Sequence, residues 1–197
     1  MITTAEALRH HERLHEAGSS LIVTTDEALD IINKAYLRVL IPCSCRLTFQ
    51  NCQKPVNTCI ILNSSAEEQL ARGLGQSITV AEGEEILAIA NREGLVHMTI
   101  SAPDQLEYAL CSCCSCCCHD LQALLKYERT KWVQKAAMVA VDNPEKCIQC
   151  YKCVDRCVFQ ARQERNEELI YEPRFCYGCG LCVPACPSGA IGMIRGN

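Results

Sequence analysis

The sequence of 197 residues lacks any apolar run near the ~18 residues that a membrane-crossing helix needs. Its opening, Met1-Ile-Thr-Thr-Ala-Glu-Ala, has no basic start, apolar core or small-residue cleavage site, so no secretory leader is expected. A nucleotide-binding glycine loop is missing too: Gly73-x-Gly75 lacks the rest of the dinucleotide fingerprint. No Ser-His-Asp set and no paired carboxylates stand out. Positive charge is in deficit, with 19 Lys and Arg against 23 Asp and Glu for a formal charge of −4. That balance argues against nucleic acid as a partner and suits solubility or docking on a basic patch.

What the sequence has in excess is cysteine, at 18 residues. Ten lie between Cys43 and Cys118 and eight between Cys147 and Cys186. This density would suggest a disulfide scaffold in a short secreted chain. Without a leader, the thiols are expected to be reduced metal ligands in a cytoplasmic protein.

The eight later cysteines fall into two copies of one pattern. The first is Cys147-x2-Cys150-x2-Cys153-x3-Cys157, and the second is Cys176-x2-Cys179-x2-Cys182-x3-Cys186 followed by Pro187. Each member of the second copy lies 29 residues after its counterpart, since 176 − 147 and 186 − 157 both give 29. Three thiolates at two-residue gaps on a tight loop reach three corners of one iron-sulfur cube. The fourth, pointing away, then ligates the other cube. Cys147, Cys150, Cys153 and Cys186 are thus the expected ligands of one 4Fe-4S cluster, and Cys176, Cys179, Cys182 and Cys157 those of a second. The pattern resembles the bacterial two-cluster ferredoxins. Two departures are visible: Val158 stands where proline is usual after the first run, and Gln149 stands where the second run has Gly178. Neither removes a ligand. Zinc is the alternative for CxxC pairs, but closed four-ligand zinc sites do not need the interleaved x3 cysteine.

The ten earlier cysteines are Cys43, Cys45, Cys52 and Cys59, then Cys111, Cys113, Cys114, Cys116, Cys117 and Cys118, with His119 adjoining. Six thiols in eight positions offer little apolar area for packing, and neighbours in sequence cannot easily form disulfides. A metal centre is the better reading. The occupancies weighed are one or two additional iron-sulfur clusters, a noncubane cluster with extra bridging thiolates, zinc, or a redox-active dithiol. Iron-sulfur is favoured, because the neighbouring unit already commits the chain to that cofactor. The ligand subset stays open.

Taken along the chain, Thr3-x-x-Glu6 predicts a capped helix to Gly18 bearing His10, His11 and His15, whose flanking charges describe a solvated face. Residues 21–23 read as a short strand or a buried connector. Thr24-x-x-Glu27 caps a second helix, in which Ala28, Ile31, Ile32, Ala35, Tyr36 and Val39 recur at helical spacing until Pro42 ends it. Cys43 to Cys59 reads as irregular backbone. Ser64-x-x-Glu67 and Thr79-x-x-Glu82 predict two more helices, the second closed by Gly94. Strands are expected over 95–100 and 106–110, a helix over 120–127 and a linker over 129–137. The last part reads as strands over 138–141 and 190–194 around a hairpin of 161–164 with 169–172. The fold class is α+β: a cysteine-rich domain of mixed helix and strand over 1–128, then a ferredoxin-like β-α-β-β-α-β dicluster unit over 138–197.

The chain as a whole also resembles cysteine-rich, dicluster ferredoxin-containing proteins of anaerobic microbes. The residues that carry this are Cys43-Ser-Cys45-Arg46, Cys52, Pro55 to Cys59, Gly94-Leu-Val-His97, the Cys111 to Cys118 run and the C-terminal double run. The resemblance implies an iron-sulfur electron carrier in anaerobic metabolism. Such a carrier is expected to link a low-potential donor to an acceptor oxidoreductase, and from charge and hydropathy neither a membrane nor nucleic acid is expected as a partner. Arg46, His97 and His119 are the polar residues expected near the extra centre, His97 in a structural role. Two other readings stay open. In one, the N-terminal centre is the catalytic site of a reductase fed by the ferredoxin unit; in the other, the N-terminal half is a structural zinc domain.

Overall fold

A computed structural model describes residues 20–102, 105–128 and 131–196. The helix expected before Gly18, with its three histidines, lies outside them. A seven-stranded sheet organises the first part. Its strands are β1 (Ser20–Ile22), β2 (Arg38–Pro42), β3 (Asn57–Leu62), β4 (Gln76–Ser77), β5 (Val96–Ala102), β6 (Gln105–Cys113) and β7 (Val133–Gln134). Their order is β4-β2-β3-β6-β5-β1-β7, antiparallel throughout except for the β1–β7 pair.

Helices cover both faces, as the two-residue alternation of strands requires. Helix α1 (Thr25–Lys34) contributes Ala28, Ile31 and Ile32 to a core shared with Ile60, Leu62, Leu110 and Leu87 of a later helix. Val39, Ile61 and Ala109 point the other way, against Ala66 of α3 (Asn63–Ala71). Between these helices in sequence lies α2 (Ser44–Phe49). After them come α4 (Val80–Arg92), which supplies Leu87, and α5 (His119–Tyr127). Capping boxes open α1 and α4: Thr24 and Thr79 each accept from the backbone N–H three residues on, while Glu27 and Glu82 reach back to the cap N–H.

Several expectations are corrected here. The second helix ends at Lys34 instead of running to Pro42, and Val39 lies on β2, with Tyr36 exposed. Arg38 is the physical stop: its Nη1 donates to the Ile32 and Ala35 carbonyls, which a continuing helix would have used internally. Cys45 and Arg46 lie on helix α2 and Cys59 on strand β3, so only part of 43–59 is irregular. Helix α3 starts at Asn63 with no side-chain cap, so the Ser64 box does not form. Strand β6 runs three residues beyond Leu110, which places Cys111 and Cys113 on the sheet. The expected linker contains β7, paired in parallel with β1.

The C-terminal segment follows the expected element order: β8 (Met138–Asp142), α6 (Lys152–Arg156), β9 (Arg162–Arg165), β10 (Glu168–Tyr171), a 3-10 turn (Pro173–Phe175), α7 (Cys182–Ala185) and β11 (Ile191–Arg195). β8 pairs with β11 and β9 with β10, both antiparallel. Its apolar side joins the rest of the chain, since Phe159 and Leu181 share a buried cluster with Ile22, Val96, Met98, Leu121 and Val133. Among the described residues, no helix is long and apolar enough to cross a membrane.

Candidate metal centres

The duplication in the C-terminal sequence is repeated in its backbone. Gln149 and Tyr151 have φ of 51° and 55°, and their counterparts 29 positions on, Gly178 and Gly180, have φ of 74° and 73°. Left-handed residues on either side of the middle cysteine curl each loop so that all three of its thiols can face one centre. Glycine adopts this conformation without strain, while Gln149 and Tyr151 hold it at about 1 kcal/mol each. At Gly178 the requirement is also steric. A Cβ there would lie 2.1 Å from the Met138 carbonyl oxygen and 2.8 Å from Ala136 Cβ.

Two cavities result, each partly open to solvent. One is lined by Cys147, Cys150 and Cys153 together with Cys186. The other is lined by Cys176, Cys179 and Cys182 together with Cys157. Each cavity therefore collects three thiols of one run and the x3 thiol of the other. Burial pushes the Cys179 and Cys182 thiols up to about 12 and about 11, and repulsion from neighbouring thiolates adds to it. Thiols so penalised become thiolates in place only when a cation offsets their charge, so this donor set fits a thiolate-bound metal cluster.

Arg162 lines both cavities and is 2% exposed. Its positive charge acts on Cys153 and Cys182, opposing the upward shift that burial gives their thiols, and it lies 4.2 Å over the Tyr171 ring. Sequence reasoning missed it, because a single arginine on a hairpin strand carries no signal. At Cys186, the Ser188 hydroxyl (3.5 Å) and the Ala190 N–H (3.2 Å) hydrogen-bond to the sulfur and lower its pKa.

The ten N-terminal cysteines converge, but as two sets. Register places the first: β3 and β6 pair Ile60 with Leu110 and Ile61 with Ala109, and continuing that register sets Cys59 across from Cys111. Cys113 shares the face of Cys111, two residues along. Thiol-to-thiol interactions then link Cys43 to Cys45, Cys118, Cys113, Cys111, Cys59 and back to Cys43, a ring of neighbours that shift one another's pKa. Around it the pKa shifts alternate. Cys43, Cys118 and Cys111 are lowered by their ring neighbours, while Cys45, Cys113 and Cys59 are raised by theirs. Six mostly buried sulfurs crowd one another here, with Arg46 the cation that acts on Cys43 and Cys59. A bound metal centre balances the charge of such sulfurs as thiolates, so the ring fits a metal site.

The second set is Cys52, Cys114, Cys116 and Cys117, whose sulfurs all lie within 4.8 Å of one another. Arg46 stands between the sets at 3% exposure. Its Nη1 donates to the Ser112 carbonyl at 2.9 Å and reaches Cys114 Sγ at 3.8 Å, while Nη2 donates to Thr58 Oγ1. His97 is fully buried with Nδ1 3.0 Å from Ser112 Oγ, a structural placement. His119 opens α5 and tilts against Phe49, with ring centroids 4.8 Å apart.

Residues 146–191 match the family model of a 4Fe-4S dicluster domain. The chain is similar to a tetrathionate reductase subunit of Archaeoglobus fulgidus, 36% identical over 89 residues, which are 42% of each protein. It is also similar to pyruvate synthase subunit PorD of Methanothermobacter marburgensis, 36% identical over 53 residues, covering 27% of this chain and 62% of that protein. The IorA subunit of indolepyruvate oxidoreductase from the same organism is 38% identical over 53 residues, which are 27% of this chain and only 8% of IorA. The chain thus spans less than half of the first of these relatives and a small fraction of the last.

Proposed function

We propose that this chain is an iron-sulfur electron-transfer protein, passing single electrons between a low-potential donor and an acceptor oxidoreductase. Cys147, Cys150, Cys153 and Cys186 hold one 4Fe-4S cluster, and Cys176, Cys179, Cys182 and Cys157 the second. The observation that carries this is the pair of cavities, each lined by three thiols of one run and the x3 thiol of the other. When bound, such clusters supply one-electron chemistry with little change in geometry. The chain's own residues do the rest: the left-handed loops aim the thiols, Arg162 places a fixed positive charge beside both sites, and Leu169, Phe159 and Tyr177 wall the cavities against water.

In this reading residues 138–197 form the dicluster domain and 1–128 a cysteine-rich domain whose six-thiol ring holds an additional cluster, a third station for the electron. The relatives support the partner class, since they are named as subunits of oxidoreductases. The test is iron, acid-labile sulfide and zinc per chain on anaerobically purified protein, with spectra of the reduced state. About eight sulfides with matching iron are expected from the C-terminal pair, and more of both from the ring. Fewer than about eight sulfides would overturn the dicluster assignment.

The ring has six thiols where a cubane needs four, and this favours a second reading, a reductase whose N-terminal centre is catalytic. An unusual paramagnetic signal that changes when a disulfide substrate is added would raise that reading above the carrier.

A further inference from the structure

The sulfurs of Cys52, Cys114, Cys116 and Cys117 form a tight group, all within 4.8 Å of one another. Cys52 Sγ lies 3.8 Å from Cys114 Sγ and 3.8 Å from Cys117 Sγ, and Cys116 Sγ lies 3.9 Å from Cys117 Sγ. Four sulfurs bonded to one ion at about 2.3 Å occupy the corners of a tetrahedron whose edge is about 3.8 Å. A cubane places each thiolate on its own iron and points it outward, so its four sulfurs spread wider than one ion's tetrahedron. The C-terminal sets each line a pocket partly open to solvent, whereas the four sulfurs of the quartet all lie within 4.8 Å of one another.

We propose that Cys52, Cys114, Cys116 and Cys117 bind a single, tetrahedrally coordinated divalent ion of the zinc or ferrous class, at a site separate from every iron-sulfur cluster in the chain.

The surroundings fit a closed structural site. Ala90, Leu95 and Phe49 back the quartet with apolar surface, Cys114 and Cys117 are buried, and Cys52 and Cys116 form its rim. Four thiolates around a divalent ion leave two negative charges, and Arg46 at 3.8 Å from Cys114 Sγ offsets one of them. Three ligands come from the turn between β6 and α5 and the fourth from the segment after α2. The ion would therefore tie two distant stretches together, beside the Asn51 Nδ2 donation to the Cys116 carbonyl at 2.8 Å. Leaving these four to one ion also accounts for all ten N-terminal cysteines, with six in the ring. The proposal rests on reading the N-terminal thiols as metal ligands, and it is independent of the two C-terminal clusters.

The experiment measures zinc, iron and acid-labile sulfide per full-length chain, purified anaerobically, in the native protein and in Cys52→Ser and Cys116→Ser. Each variant is expected to lose about one metal ion and no sulfide. Loss of iron and sulfide together would make the quartet part of a cluster, and an unchanged metal content would make it a set of free thiols. Either result overturns the proposal. If neither variant folds, metal-edge X-ray absorption of the native protein decides. For zinc, four sulfur neighbours at about 2.3 Å with no second metal shell are expected. Absence of zinc together with equal counts of iron and sulfide would sink the site. Failure of the electron-transfer reading looks different, because it appears as fewer than about eight sulfides in the native protein.

Discussion

Arg162 grips Asp142 with both terminal nitrogens, Nη1 to Oδ2 at 2.8 Å and Nη2 to Oδ1 at 2.6 Å, while its guanidinium lines both C-terminal cysteine cavities. A buried positive charge so placed favours whichever form of a neighbouring cluster carries the extra electron. Replacing Arg162 by Gln is expected to lower both midpoint potentials. Loss of about 1 kcal/mol of charge interaction corresponds to about 40 mV for a one-electron couple. Arg162→Lys keeps the charge but not the fork, and should fall between. Voltammetry of the three proteins is the check, and unchanged potentials in Arg162→Gln would refute the role.

Gly178→Ala places a Cβ against the Met138 carbonyl at a left-handed φ of 74°. Backbone cannot yield as a flexible side chain can, so β8 and the second loop must part. A loss of roughly 2–3 kcal/mol is expected. Chemical denaturation of the anaerobic protein measures it, with faster release of iron as a second readout. No equivalent clash falls on the first loop, where Gln149 stands at the same conformation.

Arg46 is the buried cation between the two N-terminal thiol sets. Arg46→Met removes the counter-charge from Cys43, Cys59 and Cys114 and leaves the Ser112 carbonyl and Thr58 hydroxyl without their donor. The expected result is a stability loss of about 3 kcal/mol, as for a broken buried pair. N-terminal metal should be depleted and the C-terminal iron and sulfide retained. Metal analysis with denaturation curves tests both halves.

His97 is fully buried, and desolvation lowers its pKa from 6.5 to about 4. Because the folded value lies below the unfolded one, the unfolded chain binds the proton more readily as pH falls. The contribution is intact above pH 6.5 and is lost progressively down to about 4, roughly 3 kcal/mol in all. His97→Asn keeps a polar atom towards Ser112 but cannot titrate. Between about pH 7 and 5.5 the native protein should lose more stability than this variant, and parallel losses would show that His97 does not titrate as the fold implies.

How much of this was legible in the sequence divides along physical lines. The capping boxes at Thr24 and Thr79 were readable because four consecutive residues contain the whole interaction. The end of α1 was not. Val39, Leu40 and Ile41 continue an apolar pattern that helix and strand share over so short a run, and the outcome depends on Arg38 reaching back to the Ile32 and Ala35 carbonyls and on β2 pairing with β3. Arg162 was invisible for the same reason. Its importance comes from facing two cavities at once, and neither cavity exists until the two cysteine runs cross.

By itself the sequence determined the C-terminal pattern, because thiol spacing within one tight loop is local geometry and a 29-residue repeat states the pairing twice. It also determined that the ten earlier cysteines were too many and too crowded for packing. Only the tertiary structure divided those ten into a ring of six and a tight quartet. Cys59 meets Cys111 through strand register, and Cys52 meets Cys114 and Cys117 across 62 and 65 residues. Sulfur-to-sulfur distance, the quantity that separates a cluster from a single ion, is set by how distant segments pack, and no spacing along the chain contains it.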